Sequence, residues 1–347
     1  MSFAAILWKN HNELLQSFHI AAIHGILTTW RRCEHLNTTP QEPDYVAGLV
    51  IETAPLIYSA LQTVLSPRKV SVSISAVFCH QKPEITFGFP PAGSCELGDI
   101  LFVYVHTPRV GPPRRNAILF QAKSTSHQPY KIQSRENEQL RLYMDWPDFE
   151  YVRSSSLTGQ KRYVTPKTPH SGAQYMLIDD RPPFDPMSGL LGFPGTYPVG
   201  CCMPDESLRD HSHLASELFN LFIFRTGRPF EDRVTAGKKQ DWSQVVWDIL
   251  EAGIKKSFNR KNSGRHRISR AIGGTVDILD GASFTRASTG LSCSTATEVL
   301  GRERALAFYA QDNDIPSGNS NRRFDTEEPE IGVSVVLIET SEKKSED

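Results

Sequence analysis

Two short apolar runs constrain this chain most. Ile100–Val105 (ILFVYV) and Ala117–Phe120 (AILF) carry no alternation of polar residues. A strand with one wet face alternates apolar and polar side chains, so an unbroken run this short predicts a strand covered on both sides. VSVSISAVFC (70–79) is different: it alternates and is β-branched, the pattern of a half-buried strand. A sheet with such members needs helices to cover it, and the chain supplies them. Over residues 1–36, Leu7, Leu14, Leu15, Phe18, Ala22, Ile26 and Trp30 recur at helical spacing. A second helix is predicted over 43–65, with one broad apolar face, Pro43 suited to its first turn and Pro55 set to kink or split it. SRENEQLRLYMDW (134–146) reads as a third helix ended by Pro147, and FEYV (149–152) as a strand. The first half therefore predicts the order helix, strand, strand, strand, helix, strand: an α/β fold with a sheet flanked by helices.

The second half is less periodic. Residues 154–200 are rich in Pro, Gly and Ser and predict an irregular connector or lid. Helices are expected over 212–226 and from Asp241 onward (DWSQVVWDILEAGIKKSF), a late strand over 331–338, and a frayed charged end. This divides the chain into residues 1–153, a domain with its N-terminal helix, a connector over 154–200, and a helical accessory region over 201–347. With 347 residues and 39% of them hydrophobic there is material for a substantial core. Lys and Arg (38) nearly cancel Asp and Glu (39), so a nucleic-acid partner must be met by a local patch. No run of eighteen apolar residues exists, which argues against a membrane span. Six cysteines without regular spacing suggest a reducing, cytoplasmic setting.

Chemistry is suggested where polar groups interrupt the strand mouths. Asp99 opens the ILFVYV strand; Gln121 and Lys123 close the next one, in the stretch ILF-Gln121-Ala-Lys123. Residues i and i+2 of a strand point the same way, so Gln121 and Lys123 share a face while Ala122 takes the other. If the two strands are neighbours, all three polar groups converge. Such a cluster suits phosphodiester hydrolysis: Asp99 can hold Mg²⁺ (or Mn²⁺), the Gln121 carbonyl can add a neutral ligand, and the Lys123 ammonium can position water and stabilise developing negative charge. The plain alternative is a strand-end Asp in an ion pair and an edge Lys that snorkels.

In this order and spacing the residues resemble the PD-(D/E)xK, or restriction-endonuclease-like, nuclease superfamily. That core runs helix, three strands, helix, strand, with an Asp at the start of the second strand and an acid-x-Lys at the third. Gln121-Ala-Lys123 departs from the commoner acid and is similar to Mrr-like members, which carry Gln there. Gln139-Leu-Arg-Leu-Tyr143 resembles the QxxxY motif of RecB-like nucleases, with Gln139 and Tyr143 on one helix face. The resemblance covers about residues 40–153. It implies metal-dependent cleavage of DNA or, alternatively, RNA, with a restriction or anti-phage role by analogy. It also implies an acid from the first core helix, for which Glu42 is preferred over Glu52 and Asp44, and Glu96 as a supporting residue or a turn residue.

Other clusters are weaker. From Lys238 to Arg270 nine basic residues, Lys255, Lys256, Arg260 and Lys261 among them, face only three acids. Such a run is commonly a solvated face, but beside a nuclease it is a candidate phosphate contact, as are Arg114 and Arg115, in the loop after the first buried strand and expected beside the candidate site. Cys201, Cys202, His211 and His213 lack zinc-site spacing. Two rivals to the nuclease follow: a degenerate module of the same fold that binds nucleic acid, a protein partner or a second copy of itself, and a metal-independent hydrolase using His80 or His211.

Overall fold

The computed structural model describes residues 2–35, 37–79, 83–88, 93–154, 157–165, 172–182, 198–259, 276–280, 283–285 and 332–342. It opens with α1 (Phe3–Lys9) and α2 (His11–His35), then α3 (Glu42–Ile51) and α4 (Thr53–Leu65). Strands β1 (Val70–Val77), β2 (Glu84–Phe87), β3 (Ser94–Glu96), β4 (Ile100–Thr107), β5 (Arg114–Thr125) and β6 (Tyr130–Lys131) follow, then α5 (Asn137–Asp145) and β7 (Phe149–Arg153). Beyond them come β8 (Lys161–Arg162), β9 (Ala173–Asp179), β10 (Val199–Cys202), β11 (Ser207–Leu208), β12 (Ser212–His213), α6 (Leu214–Phe222), β13 (Arg228–Pro229), α7 (Arg233–Lys239) and α8 (Trp242–Asn259). The chain ends with β14 (Val276–Asp280), β15 (Ser283–Thr285) and β16 (Ser334–Glu342).

The expected single helix over 1–36 is two, because Asn10 stops the first: its Nδ2 donates to Ile6 O (2.8 Å) and its backbone leaves the helical region. The split expected from Pro55 falls at Glu52. This puts Pro55 in the first turn of α4, where a missing N–H costs no intrahelical bond. α3 crosses α2 closely because Gly48 has no side chain; a Cβ there would lie 2.7 Å from Gly25 O. Glu42–Arg68 is the one stretch among the described residues long and apolar enough to cross a membrane, but more than half of it is buried inside the fold.

Ten strands form a mixed central sheet in the order β12-β10-β9-β5-β4-β16-β1-β14-β15, with β13 also paired to β5. β4 and β5 are antiparallel, while β16 runs parallel to β4 and β9 parallel to β5. Both faces are covered, as the unbroken apolar runs predict. Ile100, Phe102, Tyr104, Ile118, Phe120 and Ala122 pack in one core with α1–α4 and α6. Leu101, Val103, Ala117 and Leu119 pack in a second core with α5, α7 and α8. The architecture is a mixed α/β fold.

Three expectations are corrected. FEYV is a strand, but it pairs with β2 and β8 in a separate small sheet; the strand after α5 that joins the central sheet is β9. Residues 154–200 are accordingly no mere connector, since they carry β9 and β10. The 201–347 stretch is not only helical: it supplies β16, inserted between β1 and β4, so the central sheet draws on every part of the chain. The small sheet is fixed to α8 by a buried pair in which Arg162 Nε and Nη2 bond both oxygens of Asp248 (2.6 and 2.9 Å), with Tyr151 OH also donating to that carboxylate.

Candidate active site at the end of the central sheet

The antiparallel register of β4 and β5 sets Ile100 opposite Phe120, so the residue before β4 must lie beside the end of β5. Asp99 does: its N–H donates to Phe120 O (2.9 Å), and its Oδ2 accepts the Ala122 N–H (2.7 Å) and the Gln121 Nε2. Gln121 and Lys123 share a face, and Ala122 points into the opposite core, as period-2 geometry requires. Lys123 Nζ lies 2.9 Å from Glu136 Oε1. Glu136 in turn accepts from Tyr130 OH (3.0 Å) and the Gln133 N–H (2.9 Å). From the helical layer comes Glu42, the first residue of α3, whose carboxylate accepts the Ser124 N–H. Glu96, at the end of β3, completes a ring of four carboxylates around one ammonium.

This charge imbalance shows in the titration of each group. Burial pushes the Asp99 carboxyl well up, and the charges of Glu42 and Glu96 add to it against the Ala122 N–H and Lys123. Glu42 is also raised, by burial first, with Lys123 and the Ser124 N–H opposing. Burial raises Glu96 too. Burial alone would pull Lys123 down; Glu42, Glu136 and Asp99 outweigh it and hold the ammonium above its usual range. Only Glu136 is lowered: against burial, the Gln133 N–H, Lys123 and Tyr130 hold its charged form. Glu136 therefore satisfies Lys123, and Glu42 and Asp99 are surplus negative charge.

One atom of the site has no partner. Gln121 Oε1 is buried and accepts no hydrogen bond. In this orientation the amide Nε2 donates to Asp99, and Oε1 is the end left without a partner. An orphaned carbonyl oxygen beside surplus carboxylates fits a divalent cation, which takes oxygen donors and commonly only one or two carboxylates plus water. Among the described residues no three His, Cys, Asp or Glu side chains form a ready-made cage. The oxygen donors that could hold such an ion are Asp99, Glu42 and the Gln121 carbonyl.

The other expected residues divide. Tyr143 is buried, and its OH donates to Leu97 O (3.0 Å), two residues before Asp99. It braces the turn that aims the carboxylate, and at Gly98 a Cβ would meet the Tyr143 hydroxyl at 2.7 Å and Leu119 Cδ1 at 2.8 Å. Gln139, one helical turn earlier, is buried with its Nε2 unpartnered. Glu52 pairs with Arg32 and the Asp44 carboxylate accepts the Gln41 N–H, which leaves Glu42 as the acid of α3 at the site. Arg114 and Arg115 are not beside the site. β4 and β5 are long, so the loop joining them is at the opposite end of the sheet. Arg114 lies seven residues along the strand from Gln121, roughly 24 Å at 3.4 Å per residue. The Lys255 and Lys256 side chains, and Arg260, Lys261 and His80, lie outside the described residues. Two neighbours of Lys123 were not expected, Glu136 and Tyr130. The signal for Glu136 was present: Gln133 and Glu136 are spaced as a capping box at a helix start.

Comparison with protein-family models, with curated proteins and with solved structures finds no match.

Proposed function

We propose that the protein is a metal-dependent nuclease that hydrolyses phosphodiester bonds of DNA on a restriction-endonuclease-like core. The observation that carries the reading is the unpartnered Gln121 Oε1, set among Asp99, Glu42 and Lys123 where two neighbouring strands end. The order α3–α4, β1, β4, β5, α5, β9, with an Asp before β4 and a Lys in β5, supports the core assignment. The insertion of β16 between β1 and β4, and the departure of β2 and β3 to a second sheet, are this chain's own elaborations.

Bound to this site, Mg²⁺ or Mn²⁺ would supply an acidified water and neutralise phosphate charge. Asp99 and Glu42 would hold it with negative oxygens, and the Gln121 carbonyl with a neutral one. Lys123, fixed by Glu136, would orient the attacking water and stabilise charge on the phosphate as the bond to the leaving oxygen breaks. Tyr143 would keep the Leu97–Asp99 turn in place. Restriction of invading DNA is a role in keeping with this chemistry. The test is plasmid cleavage by the purified chain with Mg²⁺, Mn²⁺ or chelator, beside an Asp99→Ala/Lys123→Ala variant. Metal-dependent nicking lost in the variant is expected; cleavage that persists in chelator would remove the reading.

A second reading has its own observation. Gln121 and Asp99 bond each other, Lys123 bonds Glu136 and Glu42 accepts the Ser124 N–H, so every charged end at the site except Glu96 has an internal partner, as in a degenerate module that only binds a nucleic acid or protein partner. Calorimetry with Mn²⁺ separates the two, since a site that has lost its chemistry should take up no ion.

A further inference from the structure

At the far end of β5, a cleft of about 590 Å³ opens between the start of that strand, the β13 segment and the helices α7 and α8. Its walls bring together Arg114, Arg115, Arg228 and Lys239, against two carboxylates, Glu231 and Asp241. Most of these charges are already engaged. Lys239 Nζ bonds Glu231 (3.3 Å), and Asp241 Oδ1 accepts the Ser243 N–H (2.9 Å). Arg115 acts on Asp232. Arg228 differs: the residue is 8% exposed, and its Nη1 has no hydrogen-bond partner. Burial pulls its guanidinium down in pKa, with only Asp241 opposing.

A buried charge left unpaired is costly, and buried cations in proteins are paired as a rule. Arg228 is part of the wall of this cleft, and an anion bound there would offset its charge. On another part of the wall, the Arg114 guanidinium carbon sits over the Phe224 ring, 3.9 Å from its centroid, which joins a cation to an aromatic surface. The volume of the cleft lies within the range of small-molecule sites. A guanidinium fork takes phosphate oxygens bidentately, and a second cation nearby suits a group carrying more than one charge.

We propose that this cleft binds a phosphorylated small molecule of mononucleotide size, its phosphate on Arg228 and its planar ring on the Arg114–Phe224 pair. The site is separate from the carboxylate cluster and does not depend on the nuclease reading.

The experiment is calorimetry on the full chain with a purine 5′-mononucleotide, inorganic phosphate, the unphosphorylated nucleoside, a dicarboxylate and a short single-stranded oligonucleotide. The mononucleotide is expected to bind at least tenfold more tightly than inorganic phosphate, and the nucleoside and dicarboxylate more weakly than either. Arg228→Gln should lower mononucleotide affinity tenfold or more, the effect of removing a charge-assisted hydrogen bond. As it removes a cation with no bonded anion, it should keep the wild-type melting temperature. Arg114→Ala, at a position on the surface, provides a second test: mononucleotide affinity should fall while inorganic phosphate binding stays. The Asp99→Ala/Lys123→Ala variant should bind the mononucleotide as the wild type does. No heat from mononucleotide or phosphate at millimolar concentration, unchanged affinity in Arg228→Gln, equal binding of the dicarboxylate, or binding of the oligonucleotide alone would each overturn the proposal.

Discussion

Replacing Lys123 with Met keeps the volume of the side chain and removes the one cation from a ring of Glu42, Glu96, Asp99 and Glu136. Lys123 and Glu136 keep only 12% and 11% of their side-chain exposure, so their 2.9 Å contact is close to a buried pair. Removing one partner of such a pair typically costs about 3–5 kcal/mol; the residual exposure argues for the lower end, about 3 kcal/mol. With an unfolding entropy near 2.1 cal/mol/K per residue, 347 residues give about 0.7 kcal/mol/K, and the melting temperature should fall by about 4 °C. The pH dependence carries the stronger test. Lys123 is held above its usual value, so its stabilisation is present at all pH values below the ordinary lysine range and is lost only above the folded one. Between pH 5 and 8 the lysine stays charged, and any change in the loss comes from its neighbours. Glu42, Glu96 and Asp99 are raised and take up protons as the pH falls, which relieves the repulsion left by Met. The loss should be largest at pH 8 and shrink towards pH 5. Adding Glu136→Gln should recover part of it. Thermal unfolding at the two pH values checks this. A loss under about 1 °C at pH 8, or the same loss at both, would refute the view that the ring holds Lys123.

Three further outcomes follow from contacts at and near the site. Asp99→Asn should leave the protein as stable as the wild type, or more so, at pH 8, since a raised carboxyl penalises the fold as pH rises from its ordinary value through its folded one; the gain should vanish near pH 4 in denaturant titrations, while Mn²⁺ uptake by calorimetry is lost at pH 8. Gly98→Ala forces a Cβ against the Tyr143 hydroxyl and Leu119 and should cost about 1–3 kcal/mol in urea unfolding; a neutral result would show that the turn before Asp99 is not tightly packed. Arg162→Met leaves Asp248 buried with its partner gone and should cost about 3–5 kcal/mol by the same measurement, with Asp248→Asn in addition restoring part of it.

How much of this was legible in the chain depended on how local each signal was. The runs at 100–105 and 117–120 announced strands buried on both faces, and Pro55 announced a broken helix, because each is decided within a few residues. The convergence of Asp99, Gln121 and Lys123 was legible as soon as the two runs were read as neighbours, since strand alternation fixes the rest. β9 was missed for a local reason too: AQYMLID is buried along its whole length, but it sits between Pro- and Gly-rich stretches that dominate any wider window. The misplacement of Arg114 and Arg115 came from strand length. β5 begins three residues earlier and ends five later than the apolar run, which carries its two ends far apart. The place of β16 was beyond local reading: its neighbours, β1 and β4, are more than 200 residues away, and nothing in IGVSVVLI names them.

The ring of acids also decides which substitution can tell a catalytic lysine from a structural one. Lys123→Ala would cost stability in either case, because Glu136 binds the ammonium whatever its role. The informative groups are those that the ion pair does not need. Glu136 alone neutralises Lys123, and a site selected only for stability has no use for Glu42 and Asp99 beside it, both raised in pKa and both repelling each other. A fold that keeps such groups carries a local penalty that packing elsewhere must offset, and penalties of this kind concentrate where chemistry or binding requires them. The unpartnered Gln121 Oε1 lies among the same groups, and that oxygen and the surplus charge are the two observations on which the proposed cation site rests.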